Sequence, residues 1–348
     1  MVQNGRFKQP YLETTMSQKL VTSYDVAQLA GVSQPTVSRA FDPKGNINPA
    51  TRERVLEAAK KLGYQPNAIA RGLTTQRTDI VGIIMGNIAR SLYYPKVLVE
   101  FARRLQAMGK QVLLFNTHET RPVDEIMPRI MSYQVDALVI ASSTPGRELI
   151  DRFTSMGTPV ILLNRTVQDT SANSVCSDNE AGGRLTADTL LDAGHQRLAF
   201  MAGVGVTATN ELRQKGFTER LHERGVDDVM IAQGEYTYDS GFEAALRLLD
   251  RDDPPDSVFC AADIMALGTM DAARYKLGIK IPDEFSVIGY DDIPMARWPT
   301  YDLTTIRQSA TVMVETAVSL LSAPKDKMIT GEVILLPGEL IRRGSAKL

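Results

Sequence analysis

Cysteine is scarce in this chain of 348 residues, occurring only as Cys176 and Cys260. Both sit in apolar, strand-like runs without metal-site spacing, so each reads as a buried structural thiol and a disulfide framework is excluded. Histidine is as sparse: His118, His195 and His222 are dispersed, and His195 in DAGHQRLAF reads as a structural loop position. There is no P-loop, no dinucleotide glycine pattern, no nucleophile elbow and no metal cluster, and GVGV at 203–206 is too short to cradle a phosphate. No catalytic residue, cofactor or metal is therefore expected. Aromatic residues are 6% of the chain, and no apolar run approaches the ~20 residues of a membrane helix. The first sixteen residues, MVQNGRFKQPYLETTM, lack the apolar core of a signal peptide. They read either as a disordered tail, bounded here at residues 1–19, or as sequence ahead of a start at Met16. The length calls for two or more domains with sizeable cores, and the composition fits a soluble cytoplasmic protein.

What is present begins at Ser23–Ala40, SYDVAQLAGVSQPTVSRA. Ser23 can cap a helix whose Val26, Leu29 and Ala30 fall at helical spacing, and Gly31 supplies a turn that demands positive φ. Ser33 then caps a second helix, with Val37 inward and Gln34, Pro35, Thr36, Ser38 and Arg39 on or near its outer face. Pro35 is tolerated in a first turn, where backbone N–H groups have no intrahelical partner. Such a helix–turn–helix places its second helix in the major groove of DNA. An ordinary helical hairpin is the plain alternative, and the following segment counts against it. Asn48-Pro49 opens a third helix, ATRERVLEAAKKLG, with Val55, Leu56, Ala59 and Leu62 as its apolar stripe and Gly63 as its end. The three helices share a core of Val26, Leu29, Val37, Val55, Ala59 and Leu62. A short Ala-rich helical stretch, YQPNAIARGL at 64–73, is capped by Asn67.

The net charge of −2 is unevenly spread. Between Ser17 and Thr75, eight basic residues (Lys19, Arg39, Lys44, Arg52, Arg54, Lys60, Lys61, Arg71) face four acidic ones (Asp25, Asp42, Glu53, Glu57). A basic head on an acidic body suits a protein whose one end meets phosphates.

From Asp79 onward, apolar runs alternate with helix-length segments: 80–85, 112–115, 137–141 and 159–164, then 198–203, 257–263 and 285–292. That rhythm predicts parallel sheets with helices on both faces, and two series predict two subdomains. Ligands bind beyond the carboxyl ends of such strands. Asn164 and Arg165, Asp178 and Asn179, Asp263, and Asp291 and Asp292 all lie at strand ends, where charge-assisted hydrogen bonds could fix hydroxyl groups. Tyr93, Tyr94 and Trp298 could offer flat faces to a sugar ring.

Five ordered segments closely resemble the LacI/GalR family of bacterial transcription regulators: VTSYDVAQLAGVSQPTVSRAF, TRERVLEAAKKLGYQPN, NAIARGL, AADIMALG, and GYDD followed by LTTIRQ. The resemblance runs from about Val21 onward. It implies an all-α helix–turn–helix head at 20–66, a hinge at 67–78, and an α/β periplasmic-binding-protein-like core at 79–348. The core would divide into an N-subdomain, about 79–178 and 307–336, and a C-subdomain, about 179–306 and 337–348. It also implies a cytoplasmic homodimer on palindromic operator DNA, controlled by a small effector, often a sugar. Operator contacts would then come from Thr22, Ser23, Ser33, Gln34, Pro35, Thr36, Ser38, Arg39 and Asn46. In the hinge they would come from Asn67, Ala70 and Leu73, with Leu73 as a minor-groove wedge. Effector contacts would come from Tyr93, Tyr94, Asn164, Arg165, Arg213, Asp263, Asp291 and Trp298. A lactose-responsive member of the family carries Asn-Asp where this chain has Ala262-Asp263, which argues against a galactoside. No leucine heptad follows LLPGELIRRGSAKL, so a dimer is expected in place of a tetramer. A solute-binding protein and a sugar or nucleotide enzyme on the same core remain as alternatives.

Overall fold

The computed structural model describes residues 21–42, 45–66, 72, 77–86, 92–117, 123–141, 146–204, 207–323 and 330–348. The chain parts into two compact units between Thr78 and Asp79.

The first unit is built from α1 (Ser23–Ala30), α2 (Gln34–Phe41) and α3 (Pro49–Leu62). Thr22, one residue ahead of the expected Ser23, caps α1, because Asp25 three residues on completes a reciprocal capping box with it. Gly31 and Gly63 end α1 and α3 in the left-handed region, at φ 65° and 67°. Asn48 caps α3 through Oδ1, which accepts from the Ala50 N–H at 2.9 Å. The core comprises Val26, Ala27, Ala30, Val37, Ala40, Val55, Ala58 and Ala59. Each fully buried valine among them contributes about 1.5–3 kcal/mol. Leu29 was expected in that core but is 53% exposed, and Leu56 is 42% exposed. Ala27 and Ala58 turn inward beside the valines instead, which rotates the buried stripe by one position.

The second unit holds two six-stranded sheets. The first is ordered β11-β5-β4-β3-β1-β2, from β1 (Ile80–Gly86), β2 (Gln111–Thr117), β3 (Ala137–Ala141), β4 (Val160–Leu163), β5 (Asn173–Ser177) and β11 (Val333–Leu336). Every pairing in it is parallel. Separate apolar clusters cover its two faces, one around Ile83, Phe101 and Met313, the other around Ile84, Ile130 and Phe153. The second is ordered β12-β10-β9-β8-β6-β7, from β6 (Leu198–Ala202), β7 (Met230–Gln233), β8 (Ser257–Cys260), β9 (Ser286–Tyr290), β10 (Thr304–Arg307) and β12 (Glu339–Ile341). Here β12 runs antiparallel to β10, the one departure from the expected parallel order among the described strands. The chain therefore changes sheets after β5, after β10 and again between β11 and β12. Such crossings put polar strand ends of both sheets side by side. Helices α4 (Tyr94–Ala107), α5 (Val123–Ser132), α6 (Arg147–Ser155), α7 (Asn179–Asp192), α8 (Ala208–Glu223), α9 (Tyr238–Leu249), α10 (Asp263–Asp271) and α11 (Ala310–Ser322) pack around the sheets. Among the described residues, no helix is long and apolar enough to cross a membrane.

Candidate operator-binding and effector sites

In the helical unit, α2 presents a small polar surface. Ser33, Pro35, Ser38 and Arg39 are exposed and Gln34 and Thr36 are half-buried. The Gln34 amide donates to the Ser23 hydroxyl at 3.2 Å, tying the start of α2 to α1. Ser33 begins α2 without a side-chain cap bond, its hydroxyl pairing with that of Thr36 at 2.9 Å. Arg39 lies back along its own helix, Nε donating to the Pro35 carbonyl at 3.3 Å. Thr22 and Asn46 are exposed at the helix ends on either side. This is a short, polar helix with one exposed arginine, the composition that reads base edges and phosphates. Asn67, Ala70 and Leu73 lie outside the described residues.

In the α/β unit, α7 and α8 touch backbone to backbone. A Cβ on Gly183 would lie 2.7 Å from the Phe217 nitrogen, so only glycine permits the approach. That contact sets Asn179, at the start of α7, beside Arg213 of α8. Arg213 is 3% exposed. Its Nε donates to Asn179 Oδ1 at 2.8 Å and its Nη1 to the Ala261 carbonyl at 2.5 Å. The guanidinium lies 3.6 Å from the centre of the Tyr290 ring and 3.9 Å from Asp291 Oδ1.

Asp291 sits at φ 122°, a strained position for a residue with a Cβ, and its side chain keeps 15% exposure. Gln308 Nε2 donates to Asp291 Oδ1 at 2.5 Å, while Gln308 Oε1 accepts from Asn164 Nδ2 at 3.0 Å. Asn164 Oδ1 accepts in turn from the Ser177 N–H at 2.8 Å. The Ser177 and Tyr290 hydroxyls are 3.1 Å apart. A continuous polar chain thus runs from Arg213 on α8 and Asp291 at the end of β9 to Asn164 and Ser177, at strand ends of the first sheet. Burial raises the Asp291 carboxyl to about 6, against the opposing pull of Arg213 and Gln308.

Tyr93 and Tyr94 close one side, edge to face with centres 5.6 Å apart. The Tyr93 hydroxyl donates to Met313 Sδ at 3.4 Å, and burial, then Tyr94 and Asp291, push it well above the ordinary phenol range. Tyr94 feels both Arg165 and Arg213. Asn164 and Arg165 also line an adjoining cavity of about 380 Å³ with Cys176, Asp178 and Leu212.

Two expected effector residues make no hydrogen bond to this polar chain among the described residues. Asp263 is fully buried in the second sheet, Oδ1 accepting from the Thr305 hydroxyl at 2.5 Å and Oδ2 from the Ile293 N–H at 2.8 Å. Its carboxylate is committed to β10 and the turn after β9, so it supports the cleft wall from behind. Trp298 is 52% exposed, and no ring, hydrogen-bond or charge contact joins it to the Arg213–Asp291 cluster among the described residues.

Sequence reasoning passed over Gln308 and Tyr236, while Asn179 was named only as a strand-end residue. Gln308 closes the LTTIRQ segment, so it was visible as a polar residue in a named motif. Tyr236 had no such signal. It takes φ 58°, its ring packs on Gly203, and it is electrically coupled to Arg213 and Tyr94. Its buried hydroxyl has no hydrogen-bond partner among the described residues.

Residues 22–67 match the bacterial regulatory proteins of the lacI family, and residues 187–346 match a periplasmic binding protein-like domain. The chain is 32% identical to Catabolite control protein A of Priestia megaterium over 336 residues, covering 94% of this chain and 99% of that protein. It is 33% identical to the HTH-type transcriptional regulator GalS of Salmonella typhimurium, with 94% and 96% covered. A lac repressor dimer, solved with operator and the anti-inducer ONPF, superposes with a TM-score of 0.85 at 27% identity, covering 94% of this chain and 99% of that one. The transcriptional regulator CelR in complex with cellobiose gives 0.69 at 29% identity, with 94% and 100% covered. With a helix–turn–helix unit, a two-sheet binding core and relatives matched over almost their whole length, this chain belongs to the LacI family of DNA-binding transcriptional regulators.

Proposed function

We propose that the protein is a cytoplasmic homodimeric repressor that binds a palindromic operator and is controlled by a sugar or sugar derivative held between its two sheets. In this reading residues 20–66 bind DNA, 67–78 form the hinge, and 79–348 bind effector and dimerise. Residues 1–19, expected from the sequence as a tail, lie outside the described residues. Thr36 and Arg39 carry base reading, with Thr22, Ser23, Ser33, Gln34, Pro35, Ser38 and Asn46 as surrounding contacts. The parts given to Asn67, Ala70 and Leu73 rest on the family resemblance.

The observation that carries the proposal is the chain Arg213–Asp291–Gln308–Asn164. A polyhydroxylated ring entering beside Asp291 would compete for the Gln308 and Arg213 donors. It would also offer the Tyr236 hydroxyl a partner and lie against Tyr93 and Tyr94. Because the chain spans both sheets, remaking its bonds favours a different pose of the two subdomains. Coupling of that kind is typically about 1–3 kcal/mol, or 5- to 150-fold in operator affinity. A relative described in complex with cellobiose supports a carbohydrate effector. The cluster holds the effector without turning it over.

The test is a thermal-shift screen of the purified protein against sugars and sugar phosphates, repeated on R213K and D291N. A sugar that raises the melting temperature of the wild type and of neither variant supports the site. A sugar that stabilises all three equally places the effector elsewhere.

A further inference from the structure

Between α2 and α3 the described residues are Asp42 and Gly45–Asn48, among them the exposed Asn46. One guanidinium fastens them. Arg52, in the first turns of α3, donates from Nη1 to the Asp42 carbonyl at 3.0 Å and from Nη2 to the Gly45 carbonyl at 2.8 Å. Asp42 ends α2, so the first bond takes up a carbonyl for which the helix has no donor. The Gly45 N–H donates to the same Asp42 carbonyl at 3.0 Å. A Cβ on Gly45 would collide with the Arg39 carbonyl, so the segment is seated on the last turn of the recognition helix. The planar fork of arginine spans two acceptors at once, which the single ammonium of lysine does not.

We infer that Arg52 is a positioning residue for operator binding: by bridging the Asp42 and Gly45 carbonyls it holds Asn46 where it meets the DNA backbone while Thr36 and Arg39 enter the groove. The inference rests on the DNA-binding reading of this unit. Contacts to phosphate and sugar fix the register of a recognition helix without carrying sequence information. Arg52 is half-buried with both Nη atoms on backbone carbonyls. It acts through Asn46 and does not itself touch DNA.

The experiment is a double-mutant cycle on the full-length protein, titrated against its selected operator, with R52K, N46A and the pair. N46A should weaken binding about 10-fold, R52K by a similar factor, and the double variant no more than R52K alone. Losses that multiply to about 100-fold would overturn the inference, as would wild-type affinity in R52K. Circular dichroism distinguishes misplacement from unfolding, since R52K should keep its helical signal. G45A displaces the same segment from the Arg39 side. In that background too N46A should have no further effect, and a multiplied loss there would also overturn the inference. No loss in N46A alone would remove Asn46 from the interface and the inference with it, while the recognition-helix reading would stand or fall on R39A.

Discussion

Asp291 and Asp292, adjacent at the end of β9, are driven in opposite directions by their surroundings. Burial raises Asp291 to about 6, and one shared guanidinium 3.9 Å away does not offset it. Asp292 is buried too, but hydrogen bonds from Arg343 at 2.6 Å and Arg307 at 2.8 Å outweigh its burial and hold it below the usual carboxylate range. Arg297 adds a third cation at 3.3 Å. The second carboxylate anchors the turn, and the first is held in the cleft at a cost in stability, the pattern of a residue kept for binding.

The pH consequence follows by linkage. The folded Asp291 carboxyl binds its proton more tightly than the unfolded one, so stability is lost as pH rises from about 4 through about 6. Asp263, raised to about 7 by burial and by Asp291, acts in the same direction. D291N should therefore be more stable than wild type by about 1–3 kcal/mol at pH 8, with the difference vanishing below about pH 4. Thermal melts of both proteins from pH 4 to 8 check this. A D291N protein less stable at pH 8 contradicts it.

R213K keeps the charge but cannot hold Asn179 and the Ala261 carbonyl together while lying on Tyr290. It should bind operator as wild type does and lose its response to the effector by about tenfold or more. Operator titrations with and without the sugar found by thermal shift measure both. An unchanged response would remove Arg213 from the site.

Tyr236→Phe removes a buried hydroxyl that has no hydrogen-bond partner among the described residues. Stability should hold or rise by about 1 kcal/mol, because an unsatisfied buried polar group is costly. Effector affinity should fall in the same variant. Calorimetry on Y236F separates the two effects, and undiminished affinity would count against a role in binding.

Operator affinity should drop about 10³- to 10⁵-fold between 50 and 200 mM salt if six to ten phosphates are contacted. R39A should weaken binding, and where Arg39 meets a phosphate the salt slope should fall by about one. If Arg39 reads a base instead, the slope stays and discrimination between operator variants falls. Filter binding across a salt series tells the two apart.

Much of this was legible in the residues. The punctuation by Gly31, Asn48 and Gly63 placed three helices, and seven apolar runs placed β1, β2, β3, β4, β6, β8 and β9. The remaining strands were faint or silent for a reason. β5 (NSVCS) showed only as the short run around Cys176, β10 (TTIR) is largely polar, β7 and β11 are four-residue edge strands, and β12 has three residues, so long-range pairing decides them all. Leu29 misled because an apolar residue three positions after Val26 lies at the edge of the stripe, where exposure depends on the neighbouring helix. In the cleft, polar strand ends pointed to Asn164 and Asp291 and the family resemblance pointed to Arg213, and the fold brings the three together. Strand-end position did not reveal how Asp263 is used, since its carboxylate turns inward where a hydroxyl and an N–H meet it. Tyr236 was out of reach, because its position depends on a loop conformation at positive φ that no local signal specified.

The most direct measurement is selection of random duplex DNA by the purified full-length protein at moderate salt, with and without pooled sugars. The account predicts enrichment of a palindrome without sugar, and loss of that enrichment when the effector is in the pool. Absence of any enriched sequence under both conditions would contradict it.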